Sequence, residues 1–113
     1  MSYNIFFASS FNRCVRKYRR RFPHIKDDMR AAIKALLEMP RLAPVIPRDY
    51  GARKLRVRNS DLAKGKSSGY RLIYYVEEQP KPTIYLLGLY CKLDKSDITS
   101  KELKQWMDEL SSE

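Results

Sequence analysis

Two neighbouring runs decide the fold: GYRLIYYVEE at 69–78 and TIYLLGLYC at 83–91, separated by the turn QPKP at 79–82. Both are nearly continuous in apolar residues and rich in aromatics, the pattern of central strands covered on both faces. Arg71 interrupts the first run. It stands beside Tyr70, Ile73, Tyr74 and Tyr75, where an arginine calls for a specific anion or partner.

Working back towards the N-terminus, the polar loop NSDLAKGKSS at 59–68 precedes Gly69 and is rich in turn residues and lysine. Before it, from Arg53, the pattern has period two. Leu55 and Val57 point one way and Lys54, Arg56 and Arg58 the other, a strand with one apolar and one cationic face. Residues 40–51 contain Pro40, Pro44 and Pro47 and read as an extended connection. Upstream of that lie two helical patterns. The first carries Phe11, Cys14, Val15, Tyr18 and Phe22 on one stripe and is expected to run to Pro23, with Ser9 and Ser10 as capping candidates. The second begins near Lys26, places Asp27 and Asp28 at its positive end, turns Met29, Ile33, Leu36 and Leu37 inward, and stops at Pro40. The chain opens on a short strand with Tyr3, Ile5 and Phe7.

Working forward, Thr99 and Glu102 have capping-box spacing, and Leu103, Trp106, Met107 and Leu110 form one stripe of a closing helix. The order is therefore β-α-α-β-β-β-α. This predicts an α+β domain in which helices cover one face of a mainly antiparallel four-stranded sheet: two N-terminal helices pack on the sheet, and a C-terminal helix closes the chain. The 113 residues suit one domain spanning 1–113.

A content of 43% hydrophobic and 32% charged residues is globular rather than disordered. The net charge of +10 attracts polyanions, a class that includes nucleic acid, anionic lipid and acidic protein. No stretch approaches the roughly 18 apolar residues of a membrane span, and the start lacks a basic region before a short apolar run, so a cytoplasmic chain with no membrane partner is expected. Cys14 and Cys91 lack CxxC spacing and read as packed, reduced thiols.

The only histidine, His24, stands beside a proline between two helices and reads as a surface residue, which leaves little material for histidine-based nucleophilic or metal chemistry. KGKSSG lacks the spaced glycines of a nucleotide-phosphate cradle. Neither a metal nor a cofactor is expected. What remains is a set of cations: Lys54, Arg56 and Arg58 on one strand, Lys64 and Lys66 in the loop, Arg71 on the next strand and Lys92 beyond the last. Cations next to tyrosines on one sheet face suit the phosphates and stacked bases of single-stranded RNA, and equally a basic, half-exposed sheet face.

The block K54-L-R56-V-R58, the loop K64-G-K66, the strand S68-G-Y70-R71-L-I-Y74-Y75 and the ending Y85-L-L-G-L-Y90-C-K92 resemble the RelE/ParE toxin superfamily, especially its RelE and HigB-type members. The resemblance implies a metal-independent, ribosome-dependent endoribonuclease that cuts mRNA, inhibits translation and is neutralised by a cognate antitoxin protein. By position it implies catalytic roles for Lys54, Arg56, Arg71, Tyr90 and Lys92; beside these, Arg58, Lys64, Lys66 and Tyr70 are read from their charge and aromatic character as RNA contacts. Where the founding RelE type has an arginine beside the final lysine and a tyrosine a few residues on, this chain has Leu93 and Thr99. Tyr90 and Lys92 then resemble the Tyr-x-Lys ending of HigB-like members.

The implied reaction is attack of a ribose 2′-hydroxyl on its own phosphate, with clustered cations stabilising the added charge. Like charges depress an ammonium pKa, so Lys54 among Arg56 and Arg71 is expected to be partly neutral and to serve as base. Two other readings fit the residues: a ParE-like toxin that inhibits gyrase, and a basic RNA-binding module without activity.

Overall fold

The computed structural model describes residues 2–47, 50–62 and 69–113. The elements follow the expected order: β1 (Asn4–Phe7), α1 (Ser9–Tyr18), α2 (Ile25–Glu38), β2 (Arg53–Val57), β3 (Tyr70–Glu77), β4 (Thr83–Cys91) and α3 (Ser100–Ser111). They build an α+β fold on a four-stranded sheet of order β1-β4-β3-β2. The β2–β3 and β3–β4 pairs are antiparallel, and β1 joins β4 in parallel. The two apolar runs are thus the central strands.

Because side chains alternate across a strand, β3 sends Tyr70, Leu72 and Tyr74 to one face and Arg71, Ile73 and Tyr75 to the other. The first face meets Ile84, Leu86, Leu89 and Cys91 of β4, and on it α1 and α2 lay Phe11, Tyr18, Met29, Ala32 and Leu36. A bulge sets Ile73 opposite Gly88 but Tyr74 opposite Leu86, so β4 has one extra residue there. On the second face Leu103, Trp106, Met107 and Leu110 of α3 pack with Ile73, Leu87 and Tyr90. The indole of Trp106 lies so close to Gly88 that a Cβ there would fall 2.5 Å from it. Glycine at 88 is what lets α3 dock.

Four local expectations change. Helices cover both faces, not one, because α3 crosses to the side opposite α1 and α2. Helix α1 ends at Tyr18 rather than Phe22; the residue before a proline is pushed out of helical geometry, and the chain unwinds over the preceding arginines. Phe22 still reaches the core, its N–H donating to the Tyr18 carbonyl at 2.8 Å. Leu37 is 44% exposed, and the inward stripe of α2 is Ile25, Met29, Ala32 and Leu36. Ser9 and Ser10 lie inside α1, with Ala8 as the N-cap. Ser10 donates its hydroxyl proton to the Leu87 carbonyl, and the carboxylate of Glu113 receives the Ser9 N–H at 2.9 Å. An acidic side chain from the far end of the chain thus serves the helix N-terminus.

The closing helix has the expected capping box: Thr99 Oγ1 accepts from Glu102 N–H, and Glu102 accepts from Thr99 N–H. His24 is exposed, as expected, and its Nδ1 lies 2.6 Å from Asp61, tying the start of α2 to the β2–β3 connection. Cys91 is buried and Cys14 partly so.

Candidate functional site

The strand register assembles the site. Arg56 of β2 stands directly opposite Arg71 of β3, and Arg71 directly opposite Tyr90 of β4. Directly opposed residues lie about 5 Å apart at Cα, so the three form a row across the second face, beside the part that α3 covers. Lys54 is two residues before Arg56 on the same face, opposite Ile73.

Burial divides the row. Arg56 is exposed and Lys54 half-buried, whereas Arg71 is 6% and Tyr90 2% exposed. Arg71 donates to the Tyr70 carbonyl at 3.2 Å, and among the described residues it has no ion pair. Its opposite neighbour is another arginine, an arrangement that is unfavourable across a strand pair. A nearly buried guanidinium with a like charge beside it and one carbonyl for company is a site prepared for an anion.

An acidic residue that the sequence reading passed over completes the cluster. Asp97, in the turn between β4 and α3, takes three hydrogen bonds on a single oxygen, Oδ1: from Lys54 Nζ at 3.0 Å, Tyr90 Oη at 3.1 Å and Ile98 N–H at 2.8 Å. Partial burial works to raise its pKa, but the bonds from Lys54 and from Ile98 N–H outweigh it and hold the carboxyl below its ordinary value. Burial, then Asp97, push the Tyr90 hydroxyl well above the usual phenol range. Tyr90 therefore stays protonated and acts as a donor to Asp97. The like-charge surroundings expected for Lys54 are broken by a carboxylate at hydrogen-bond distance. Nothing in the run Lys95-Ser96-Asp97 signals a contact with a lysine 43 positions earlier; only the fold brings them together. Lys95 was also passed over. It lies 5.5 Å from the centre of the Tyr90 ring and pairs with Glu102.

The remaining expected residues fall in different places. Lys92 belongs to the same turn as Asp97 and donates to the Ser96 carbonyl at 2.8 Å. Arg58 is exposed just past β2, where with Arg56 it borders a groove of about 380 Å³ between β2 and α2. Tyr70 is a correction: it points to the opposite face, is fully buried, and packs edge-on to Tyr18 and Phe22. Its ring has no surface on which a base could stack, because residue 70 has the other parity from Arg71. Lys64 and Lys66 lie outside the described residues. Leu93 is exposed, and Thr99 is engaged in capping α3.

No protein-family model matches the sequence. Among solved structures the chain is similar to a free-state mutant of the E. coli toxin RelE with two arginines replaced by alanine. The match covers 99% of this chain and 97% of that one, with a TM-score of 0.58 and 18% sequence identity. The fold is that of RelE. That likeness extends over nearly the whole of both chains, in keeping with the resemblance of the sequence motifs. At this identity the RelE likeness speaks to architecture, and function rests on the site.

Proposed function

We propose that this protein is the toxin of a toxin–antitoxin pair, a cytoplasmic endoribonuclease of one domain that cuts mRNA on the ribosome without a metal. The observation that carries this reading is the row Arg56–Arg71–Tyr90 with Lys54 beside it, built around an almost buried arginine that has no acidic partner among the described residues. Such a constellation suits a phosphodiester. Arg71 grips the scissile phosphate, Arg56 adds charge from the open side, and preorganised donors of this type are worth roughly 2–4 kcal/mol each in the transition state.

The ribose 2′-oxygen bonds to phosphorus as the bond to the 5′-oxygen breaks, leaving a 2′,3′-cyclic phosphate and a 5′-hydroxyl. The 2′-hydroxyl gives its proton to solvent, and the departing 5′-oxygen takes one from the Lys54 ammonium, which solvent restores. With a carboxylate on it, Lys54 is assigned as this donor rather than as the base. Arg58, Lys64, Lys66 and Lys92 are assigned to ribosomal and messenger RNA, where each phosphate contact adds a salt-dependent term. The cognate antitoxin is an acidic-segment protein drawn by the +10 charge.

The deciding experiment maps transcript ends before and after induction in growing cells. New 5′-hydroxyl ends within translated messages are expected together with growth arrest. Arrest with gyrase-linked DNA breaks and intact messages contradicts this reading in favour of a ParE-like toxin, and no effect leaves a basic binding module.

A further inference from the structure

The carboxylate of Asp97 sits where a nuclease that must hold a polyanion has least use for a negative charge. It pins the Lys54 ammonium and the Tyr90 hydroxyl through one oxygen, Oδ1, while Oδ2 makes no hydrogen bond among the described residues. Lys54 is long and flexible, and its side chain is one-third exposed. Without a fixed partner it would sample many rotamers, an entropy that must otherwise be lost at each turnover. Tyr90, by contrast, is held in place by burial and donates to the same Asp97 oxygen at 3.1 Å.

The geometry points to Asp97 as a positioning residue that trades RNA affinity for rate: it repels the phosphate yet holds the Lys54 ammonium where the leaving oxygen departs. This rests on the nuclease reading above. Two opposed consequences follow for Asp97→Asn. The amide oxygen keeps the acceptor for Ile98 N–H and Tyr90, so the entry into α3 is preserved, but the charge that fixes Lys54 is gone. Binding should tighten, because an anion has left the phosphate site, while the chemical step slows, because misplacement by about 1 Å costs up to ~100-fold. A merely structural role would weaken both together.

The test uses the full chain on programmed ribosomes. Affinity is measured with a 2′-O-methylated message, which binds but lacks the attacking hydroxyl, and single-turnover cleavage is followed on the unmodified message. Asp97→Asn is expected to bind roughly threefold to tenfold more tightly and to cleave roughly 10- to 100-fold more slowly, with Asp97→Glu restoring most of the rate. Asp97→Asn cleaving at the wild-type rate overturns the inference, and so does weaker binding accompanied by slower cleavage. A wild-type chain that leaves ribosome-bound message intact brings down the nuclease reading and this inference with it. Cleavage by wild type and by Asp97→Asn alike brings down Asp97 alone.

Discussion

The two faces of β3 and β4 are made from alternate residues of the same two strands, yet they are built on opposite principles. Towards α1 and α2 every position is filled by an apolar or aromatic side chain: Leu72, Tyr74, Ile84 and Leu86 are fully buried, and Tyr70 meets Tyr18 and Phe22 edge-on. Towards α3 the face is divided. Trp106 over Gly88 seals one half, and the other half holds two arginines side by side, a lysine, a buried phenol and a carboxylate. The difference teaches where stability and function separate in a small domain. One face supplies the buried apolar core, and the other holds Arg71, which has no ion pair among the described residues.

The contrast yields measurable differences. The largest is expected on the sealed face, where Leu72→Ala leaves a cavity under two helices and should cost about 2–5 kcal/mol in urea unfolding. A loss below 1 kcal/mol would mean that this face is not the principal core. Next, Gly88→Val drives a side chain into the Trp106 ring and should cost about 1–3 kcal/mol. Trp106 is the only tryptophan, so its emission should move to the red; an unmoved spectrum would contradict the docking of α3.

Opposite ends of the pH scale should separate the faces. On the sealed side, burial pushes the Tyr18 hydroxyl from 10.0 up to about 12. Its contribution is therefore complete below pH 10 and lost as the pH climbs from 10 through 12. On the open side Asp97 is held below 3.8 against the effect of its burial, so its contribution is present above pH 3.8 and lost as the pH falls through the lower folded value. Urea midpoints against pH should lose part of their alkaline slope in Tyr18→Phe and part of their acid slope in Asp97→Asn. Exchange of those effects would refute the assignment of faces. The smallest effect belongs to Tyr70→Phe, which removes a buried hydroxyl that has no hydrogen-bond partner among the described residues. Stability should change by less than about 1 kcal/mol, and RNA cleavage should not change. A large loss of cleavage would return Tyr70 to the site.

The same contrast explains what was legible in the sequence. Element order, the central strand pair, the capping box of Thr99 and Glu102, and the shared face of Lys54 and Arg56 follow from periodicity and local hydrogen bonding, which short windows contain. Tyr70 was misread because its neighbour Arg71 suggested a binding strand, although adjacent strand residues point to opposite faces. Leu37 was misread because the buried stripe of α2 runs through Ile25, Met29, Ala32 and Leu36, and residue 37 lies about 100° further round the helix from Leu36, on the exposed side. Asp97 was not legible at all, since its partners Lys54 and Tyr90 come from different strands, and a charge in a polar turn looks the same whether it is solvated or engaged.

The central claim is that Arg71 grips the scissile phosphate on a face that the core does not need. Single-turnover cleavage of message on saturating ribosomes, comparing wild type with Arg71→Ala shown to be folded by circular dichroism, tests it most directly. The account predicts a rate lower by about 100-fold or more with ribosome binding mostly intact. A folded Arg71→Ala variant that cuts bound message at the wild-type rate would contradict it.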